Sequence, residues 1–409
     1  MKKLFLALSV ILLKIATISA QTSLPTLNEV LDLINKDSLR RTVQDLQDFE
    51  SRLCIQTVGQ NRQVAQYLVD RLKAYGIEDA RIDSFHVKVS IWTIEYDQYM
   101  YNVLGTLKGT GTTDSTVIIG AHLDAVALDA PQVLSATSPG ADDNATGCAV
   151  MIEMARIIHE NNLKPRHNID FMAYDAEELG LYGAYYDANK RRAANEKIIV
   201  MINNDMVGYQ PETAVSWEAV LHWYDNSLDV TEKARQTLIN YTTVTPFIPS
   251  VEENETRKNS DSWAYFQNNF RATFAIEKHR NPYYHTVNDV IDHLNFEYCR
   301  EIARMNFVLL AYYSGINLPP LSIIQNNIHN NYNIDVLPNP ANDIIRVHNY
   351  NDITIQKIEI HDLSGRLMQS VQNIMPQQNL IHLSNLSSGV YFMRIYTDKG
   401  IVNKKVIKQ

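Results

Sequence analysis

Apolar positions recur at helical spacing near the start of the chain: Val30, Leu31, Leu33, Ile34 and Leu39 mark a stretch from Leu27 to Leu46, and Val64, Ala65, Tyr67, Leu68 and Leu72 mark another from Arg62 to Tyr75. Both predict surface helices with one face turned to a core. The pattern then changes. Ala80 to Val89 and Ile91 to Leu107 are rich in Val, Ile, Tyr and Thr, as paired strands are. Short continuous apolar runs follow at Val117 to Ala121, Ile169 to Tyr174 and Ile198 to Ile202, alternating with helical patterns over Ala145 to Asn161 and Tyr182 to Ala194. Strands apolar on both faces that alternate with helices predict a largely parallel sheet covered on both sides, with functional groups beyond the carboxyl ends of its strands. A last long helix, Glu297 to Tyr313, is stopped by Leu318-Pro319-Pro320.

Beyond the Asn-rich connector Gln325 to Asn333 the helical period vanishes. Strand-like runs at Ile344 to Val347, Ile353 to His361, Arg366 to Val371, Leu380 to Leu383, Val390 to Tyr396 and Ile401 to Ile407 are separated by turns such as Leu363-Ser364-Gly365, which predicts a small immunoglobulin-like β-sandwich. At the other end, Lys2 and Lys3, the apolar run Leu4 to Leu13 and the small pair Ser19-Ala20 have the layout of a cleavable export signal, too short to span a bilayer. The expected organisation is a signal peptide at 1–20, an α/β domain at 21–318, a linker at 319–333 and the β-sandwich at 334–409, with no stable membrane span in the mature chain.

Composition narrows the function. The 409 residues suffice for two cores, a domain taking about 100–200 residues. The net charge of −9 leaves no basic footprint for nucleic acid. The acidity is uneven: residues 327–409 hold 8 basic and 6 acidic side chains, whereas residues 21–326 hold 26 and 40, a net of −14. Acidic chemistry therefore belongs upstream of the sandwich. Three cysteines, Cys54, Cys148 and Cys299, permit at most one internal bridge, and Cys148 lies in an apolar helical stretch that reads as core.

The acidic and His residues fall at element ends. His122-Leu123-Asp124 follows one buried strand, Asp175 with Glu177-Glu178 another, and Asn204-Asp205 a third, while Asp142-Asp143-Asn144 precedes a helix and Tyr284-His285-Thr286 comes later. So many carboxylates at one rim repel one another unless cations neutralise them. Two divalent metals resolve that conflict, since His nitrogen with Asp and Glu oxygen suits zinc and a metal pair shares a bridging carboxylate and a bridging water. His122 and His285 then offer each metal a nitrogen, and Asp124 is placed to accept the other N–H of His122. Adjacent residues leaving a strand point to opposite sides, so one of Glu177 and Glu178 ligates while the other serves as general base.

In order and in wording, Ala121-His122-Leu123-Asp124, Gly140-Ala141-Asp142-Asp143-Asn144-Ala145-Thr146-Gly147, Ala176-Glu177-Glu178-Leu179-Gly180, Asn204-Asp205-Met206 and Tyr284-His285-Thr286-Val287-Asn288-Asp289 resemble the co-catalytic zinc exopeptidases, which include bacterial leucyl aminopeptidases, aminopeptidase Y, glutamate carboxypeptidase and the glutaminyl cyclases. The resemblance runs from about Val43 to Gly315. It implies a mixed sheet sandwiched by helices and two zinc ions, one held by His122 and Asp205, the other by Glu178 and His285, with Asp143 bridging both. It further implies Glu177 as the base, Asp124 as the residue that orients His122, and a cis Asp143–Asn144 peptide. The implied activity is hydrolysis of N-terminal residues from peptides by a metal-bridging hydroxide. A single-zinc glutaminyl cyclase and a carboxypeptidase are the alternatives on the same scaffold. Where leucine-preferring members carry an apolar pocket stretch, this chain reads Glu277-Lys278-His279-Arg280, so a simple leucine preference is not expected. Ser260-Asp261-Ser262 resembles the family's substrate-side segment, and Ser260 reads equally as a helix N-cap. The tail, through Leu337-Pro338-Asn339-Pro340-Ala341, Asp362-Leu363-Ser364-Gly365-Arg366, Leu386-Ser387-Ser388-Gly389-Val390-Tyr391 and Val406-Ile407-Lys408, resembles the sorting domain of proteins exported by the type nine secretion system. That implies the secretion machinery as a partner and a location outside the cell or at its outer surface.

Overall fold

The computed structural model describes residues 25–409 apart from 56–59, 92–93, 130–136, 319–333, 350–353, 363–365, 373–379 and 399. The expected signal segment 1–20, the linker 319–333 and the turn 363–365 lie outside the described residues. In chain order the first domain contains α1 (Leu27–Asp32), α2 (Lys36–Gln47), α3 (Asn61–Ala74), β1 (Arg81–Ile91), β2 (Ile94–Leu107), β3 (Ser115–His122), α4 (Gly147–Glu160), β4 (Asn168–Tyr174), α5 (Tyr182–Ala193), β5 (Lys197–Asn204), β6 (Glu218–His222), α6 (Leu228–Tyr241), β7 (Thr245–Phe247), α7 (Ser262–Gln267), β8 (Ala272–Glu277) and α8 (Phe296–Ser314).

The single periodic stretch at Leu27 to Leu46 is two helices. Asn35 interrupts it because its Oδ1 accepts the N–H groups of Asp37 (2.7 Å) and Ser38 (3.2 Å), and so caps α2 rather than continuing α1. The five elements from β6 to β8 were not marked by the apolar pattern. Their strands are only 5, 3 and 6 residues long, too short for periodicity to stand out.

One eight-stranded sheet, in the order β1-β2-β4-β3-β5-β8-β6-β7, organises the domain. The β1/β2, β2/β4 and β6/β8 pairs are antiparallel, while β3/β4, β3/β5, β5/β8 and β6/β7 are parallel. The chain crosses from β3 to β4 on one side and then to β5 on the other, so the order reverses at β3. That switch opens a crevice beyond the carboxyl ends of the central strands.

Alternation along each strand fills both faces. Val117, Ile119 and Ala121 of β3, with Ile169, Phe171 and Ala173 of β4, pack into a core with residues of α1 to α4, α6 and α8. Ile118, Met172 and Tyr174 face the opposite way, against Ala184 and Ala188 of α5 and Ala264 and Tyr265 of α7. Every residue of β3 and β4 is buried, as the continuous apolar runs predicted.

The second unit has its own core, centred on Val336, Ile345, Ile358, Met393 and Val406. It consists of β9 (Ile334–Leu337), β10 (Ile344–Asn349), β11 (Ile355–His361), β12 (Leu367–Gln372), β13 (Leu380–His382), β14 (Gly389–Thr397) and β15 (Gly400–Lys408). These form small antiparallel sheets in the orders β13-β10-β9 and β12-β11-β14-β15.

Candidate metal centre

Four neighbouring parallel strands end at the crevice, and each delivers a polar group there. His122 is the last residue of β3, Asp175 follows β4, Asp205 follows β5, and Glu277 ends β8. The turn Ala141–Thr146 before α4 brings Asp143 under them, and its Asp143–Asn144 peptide is cis. Gly140, at φ +51°, leads into that turn; a Cβ there would run into the carbonyl oxygen of Asp143 and the side chain of Ala125. Only glycine fits.

Asp143 sits between two imidazoles. Its Oδ1 lies 3.1 Å from Nε2 of His122 and its Oδ2 lies 3.2 Å from Nε2 of His285. Nε2 of His122 also faces Oδ1 of Asp205 at 3.4 Å, and Nε2 of His285 faces Oε2 of Glu178 at 2.8 Å. Two triads result, His122–Asp143–Asp205 and Asp143–Glu178–His285, each with ligand atoms within 4.8 Å of one another. Glu177 comes within the same distance of His122 and Glu178.

The adjacent glutamates therefore do not diverge as strand geometry suggested. Ala176 adopts φ +59°, turning the backbone out of the strand direction before Glu177. Met206, just after Asp205, and His285 itself also have positive φ, at 54° and 57°. Non-glycine residues in this region are sparse, and strained backbone of this kind concentrates where function demands a particular side-chain aim.

Electrostatics fits bound cations. Burial opposes charge on His285, yet the carboxylates of Asp143 and Glu178 outweigh it and raise its pKa to about 10. His122 is likewise driven well above its ordinary range despite burial, by Glu177 and Asp205 among others. Burial, reinforced by the charge on Asp143, raises Glu178 to about 8. Burial also pushes Asp143 upward, but the two imidazoles hold it below the usual carboxylate range. These carboxylates draw positive charge onto whatever stands among them, and Oε1 of Glu178 is buried without a hydrogen-bond partner. Divalent cations satisfy both requirements and displace the imidazole protons.

Asp124 meets His122 and also supports the turn that carries the two glutamates. Nδ1 of His122 lies 3.1 Å from the backbone oxygen of Asp124 and 3.5 Å from its carboxylate. The carboxylate is also engaged elsewhere: Oδ1 accepts the N–H of Glu177 (3.1 Å) and Oδ2 that of Glu178 (3.2 Å). Ser260 does not cap α7; its hydroxyl donates to Oδ2 of Asp205 at 2.7 Å. Cys148 is core, with its thiol directed at the carbonyl oxygen of His122 at 3.2 Å, and all three cysteines are free and buried.

Two supports carried no assigned role in the sequence. Asp289 accepts the backbone N–H groups of Asp142 and Asp143, at 3.1 and 3.0 Å, and so holds the turn that presents Asp143. Arg52, 1% exposed, donates from Nε to the carbonyl of Leu123 (2.9 Å), from Nη1 to that of Pro139 and from Nη2 to that of Gly140 (2.7 Å). It ties the His122 loop to the Asp143 turn. Arg52→Met orphans three buried carbonyls at about 1 kcal/mol or more each. A drop in unfolding free energy of about 3 kcal/mol is expected from denaturant titration, and an unchanged midpoint would contradict this account.

Residues 102–310, half of the chain, match the model of peptidase family M28. The chain belongs to peptidase family M28. It is thus a hydrolase of a zinc aminopeptidase family, homologous to leucine aminopeptidases. Leucine aminopeptidase 1 of Coccidioides posadasii is 28% identical over 288 residues, covering 68% of this chain and 70% of the relative. The zinc aminopeptidase of Bacillus subtilis superposes with a TM-score of 0.55 at 16% identity, covering 70% of this chain and 99% of that one. The glutaminyl cyclase of Bacteroides thetaiotaomicron superposes with 0.53 at 20%, covering 68% and 98%. These two superpositions show the M28 fold. Residues 335–409 match the secretion system C-terminal sorting domain, which directs the protein out to the cell surface or beyond. Among the described residues no helix is long and apolar enough to cross a membrane.

Proposed function

We propose that residues 21–318 form an aminopeptidase that removes N-terminal residues from peptides and holds two zinc ions, one on His122, Asp143 and Asp205 and the other on Asp143, Glu178 and His285. The observation that carries this reading is Asp143, which turns one oxygen to each of two imidazoles that are each backed by a further carboxylate. When bound, such a pair supplies a Lewis acid for the scissile carbonyl and lowers the pKa of a shared water.

The chain's own residues supply the rest. Burial lifts the carboxyl group of Glu177 well above its ordinary range, which makes its carboxylate a stronger base. Glu177 accordingly takes a proton from the attacking water and returns it to the leaving amine. Asp124 holds the peptide N–H groups of Glu177 and Glu178 with its carboxylate and faces Nδ1 of His122 with its carbonyl, so one residue positions the base and two ligands. The homology to leucine aminopeptidases supports an aminopeptidase over a carboxypeptidase. We further propose that residues 1–20 are a cleaved signal, 319–333 a linker, and 334–409 the part handed to the type nine secretion machinery.

The test is mass spectrometry of peptides incubated with zinc-loaded protein, with one set bearing free amino termini and a matched set acetylated. Stepwise shortening of the free set alone is expected. Shortening of both sets from the carboxyl end would replace the reading with a carboxypeptidase, and loss only of water or ammonia from N-terminal Glu or Gln, with one zinc per chain, would replace it with a cyclase.

A further inference from the structure

The centre is not equally covered on all sides. The side chain of His285 is 19% exposed and that of Asp205 10%, whereas those of His122, Asp143 and Glu178 are at most 6% exposed. The side of the centre most open to solvent is therefore that of His285, shortly after the segment that leaves β8 as Glu277-Lys278-His279-Arg280. Glu277 turns inward, where its carboxylate accepts the N–H groups of Tyr209 and Asn281. Lys278 places its ammonium 3.4 Å from the ring centroid of Phe247, and Nε2 of His279 lies 3.6 Å from the carboxylate of Glu218. Arg280 differs from both. It is exposed, its guanidinium lies 4.2 Å from the ring centroid of Tyr284, and it makes no ion pair among the described residues. Tyr284 in turn stacks on His285, with centroids 3.6 Å apart and planes 20° apart.

Resting on the aminopeptidase reading, we infer that Arg280 is a specificity-determining residue that recognises a carboxylate on the leaving side of the scissile bond, so that acidic peptides are the preferred substrates. A guanidinium held on an aromatic face is anchored without using its N–H donors, which remain free to grip a carboxylate in bidentate fashion. In the aminopeptidase reading the amino terminus lies at the metals, and Tyr284 stands between Arg280 and His285, so the part of the peptide that meets Arg280 is the part farther from its amino end. A local cation also answers a problem of charge: residues 21–326 carry a net −14, a field that discourages acidic peptides unless something on the open side of the centre offsets it.

The experiment compares kcat/KM for Leu-Glu-amide, Leu-Gln-amide and Leu-Gln with a free C-terminal carboxylate, in wild type, Arg280→Gln and Arg280→Glu, with Leu-Lys-amide added as a control for the charge-reversed variant. Wild type should favour Leu-Glu-amide over Leu-Gln-amide by about fivefold, near the upper end for an exposed ion pair, and less so at high salt. The ratio should fall to about one in Arg280→Gln, and Arg280→Glu should favour Leu-Lys-amide instead. The third substrate shows whether a main-chain carboxylate is read as well as a side-chain one. Calorimetric binding of the same amides to Glu177→Gln gives a readout without turnover. Cleavage of all three substrates with no carboxylate preference, or a preference that survives Arg280→Gln, overturns the inference and leaves the aminopeptidase standing. No cleavage at all, with Leu-Glu-amide still binding tighter through Arg280, overturns the aminopeptidase and leaves the recognition standing.

Discussion

Glu177→Gln is expected to lower kcat by about a thousandfold while zinc content stays at the wild-type level. The substitution keeps the size of the side chain and the backbone N–H that donates to Asp124, so neither the turn nor its packing is disturbed. It removes the one property the proposed role needs, a carboxylate able to accept and return a proton, and general base catalysis is worth about 10²–10⁴ in rate. Glu177 stands outside both triads that share Asp143, which is why metal retention is expected. Steady-state kinetics beside elemental analysis of the same sample checks both halves. Turnover near the wild-type rate would remove Glu177 from the mechanism, and loss of zinc would make it a ligand instead.

Asp143→Ala should have the larger effect on metal. Because Asp143 offers one oxygen to each imidazole, its removal weakens both proposed ions together, and an affinity loss of about 100-fold or more is expected for each, since even outer-shell partners are worth 10–100-fold. Asp205→Ala touches only the His122 triad, so it should release one ion and spare the other. Zinc per chain after dialysis against a buffered chelator distinguishes the two. If Asp143→Ala lost one zinc while holding the other at wild-type affinity, the shared-carboxylate arrangement would be wrong.

Much of this site was legible because its side chains sit where the apolar pattern stops. His122, Glu178 and Asp205 each follow a buried strand, and a parallel sheet brings such ends to one edge whatever the details of packing. The structure does bring those three together with Asp143 and His285. Other features depend on contacts that spacing does not encode. Arg52 is one basic residue among many in the sequence, and it gains its role only from carbonyls 71 to 88 positions away. Likewise, nothing local reveals that the carboxylate of Asp124 serves the N–H groups of Glu177 and Glu178, because the positive φ of Ala176 that brings them round is imposed by the folded turn. The stretch from β6 to β8 was silent for a simpler reason: strands of 5, 3 and 6 residues leave too few alternations to read.

The five groups proposed to hold metal are scattered from residue 122 to residue 285 and belong to separate strand ends and loops. In an extended chain no two triad partners lie near each other, so no fragment that has folded only in part owns a complete site. Hydrolytic capacity is thus a property of the finished fold. On the proposed assignment, a chain that has not yet folded has no hydrolytic activity until the sheet brings these five groups together.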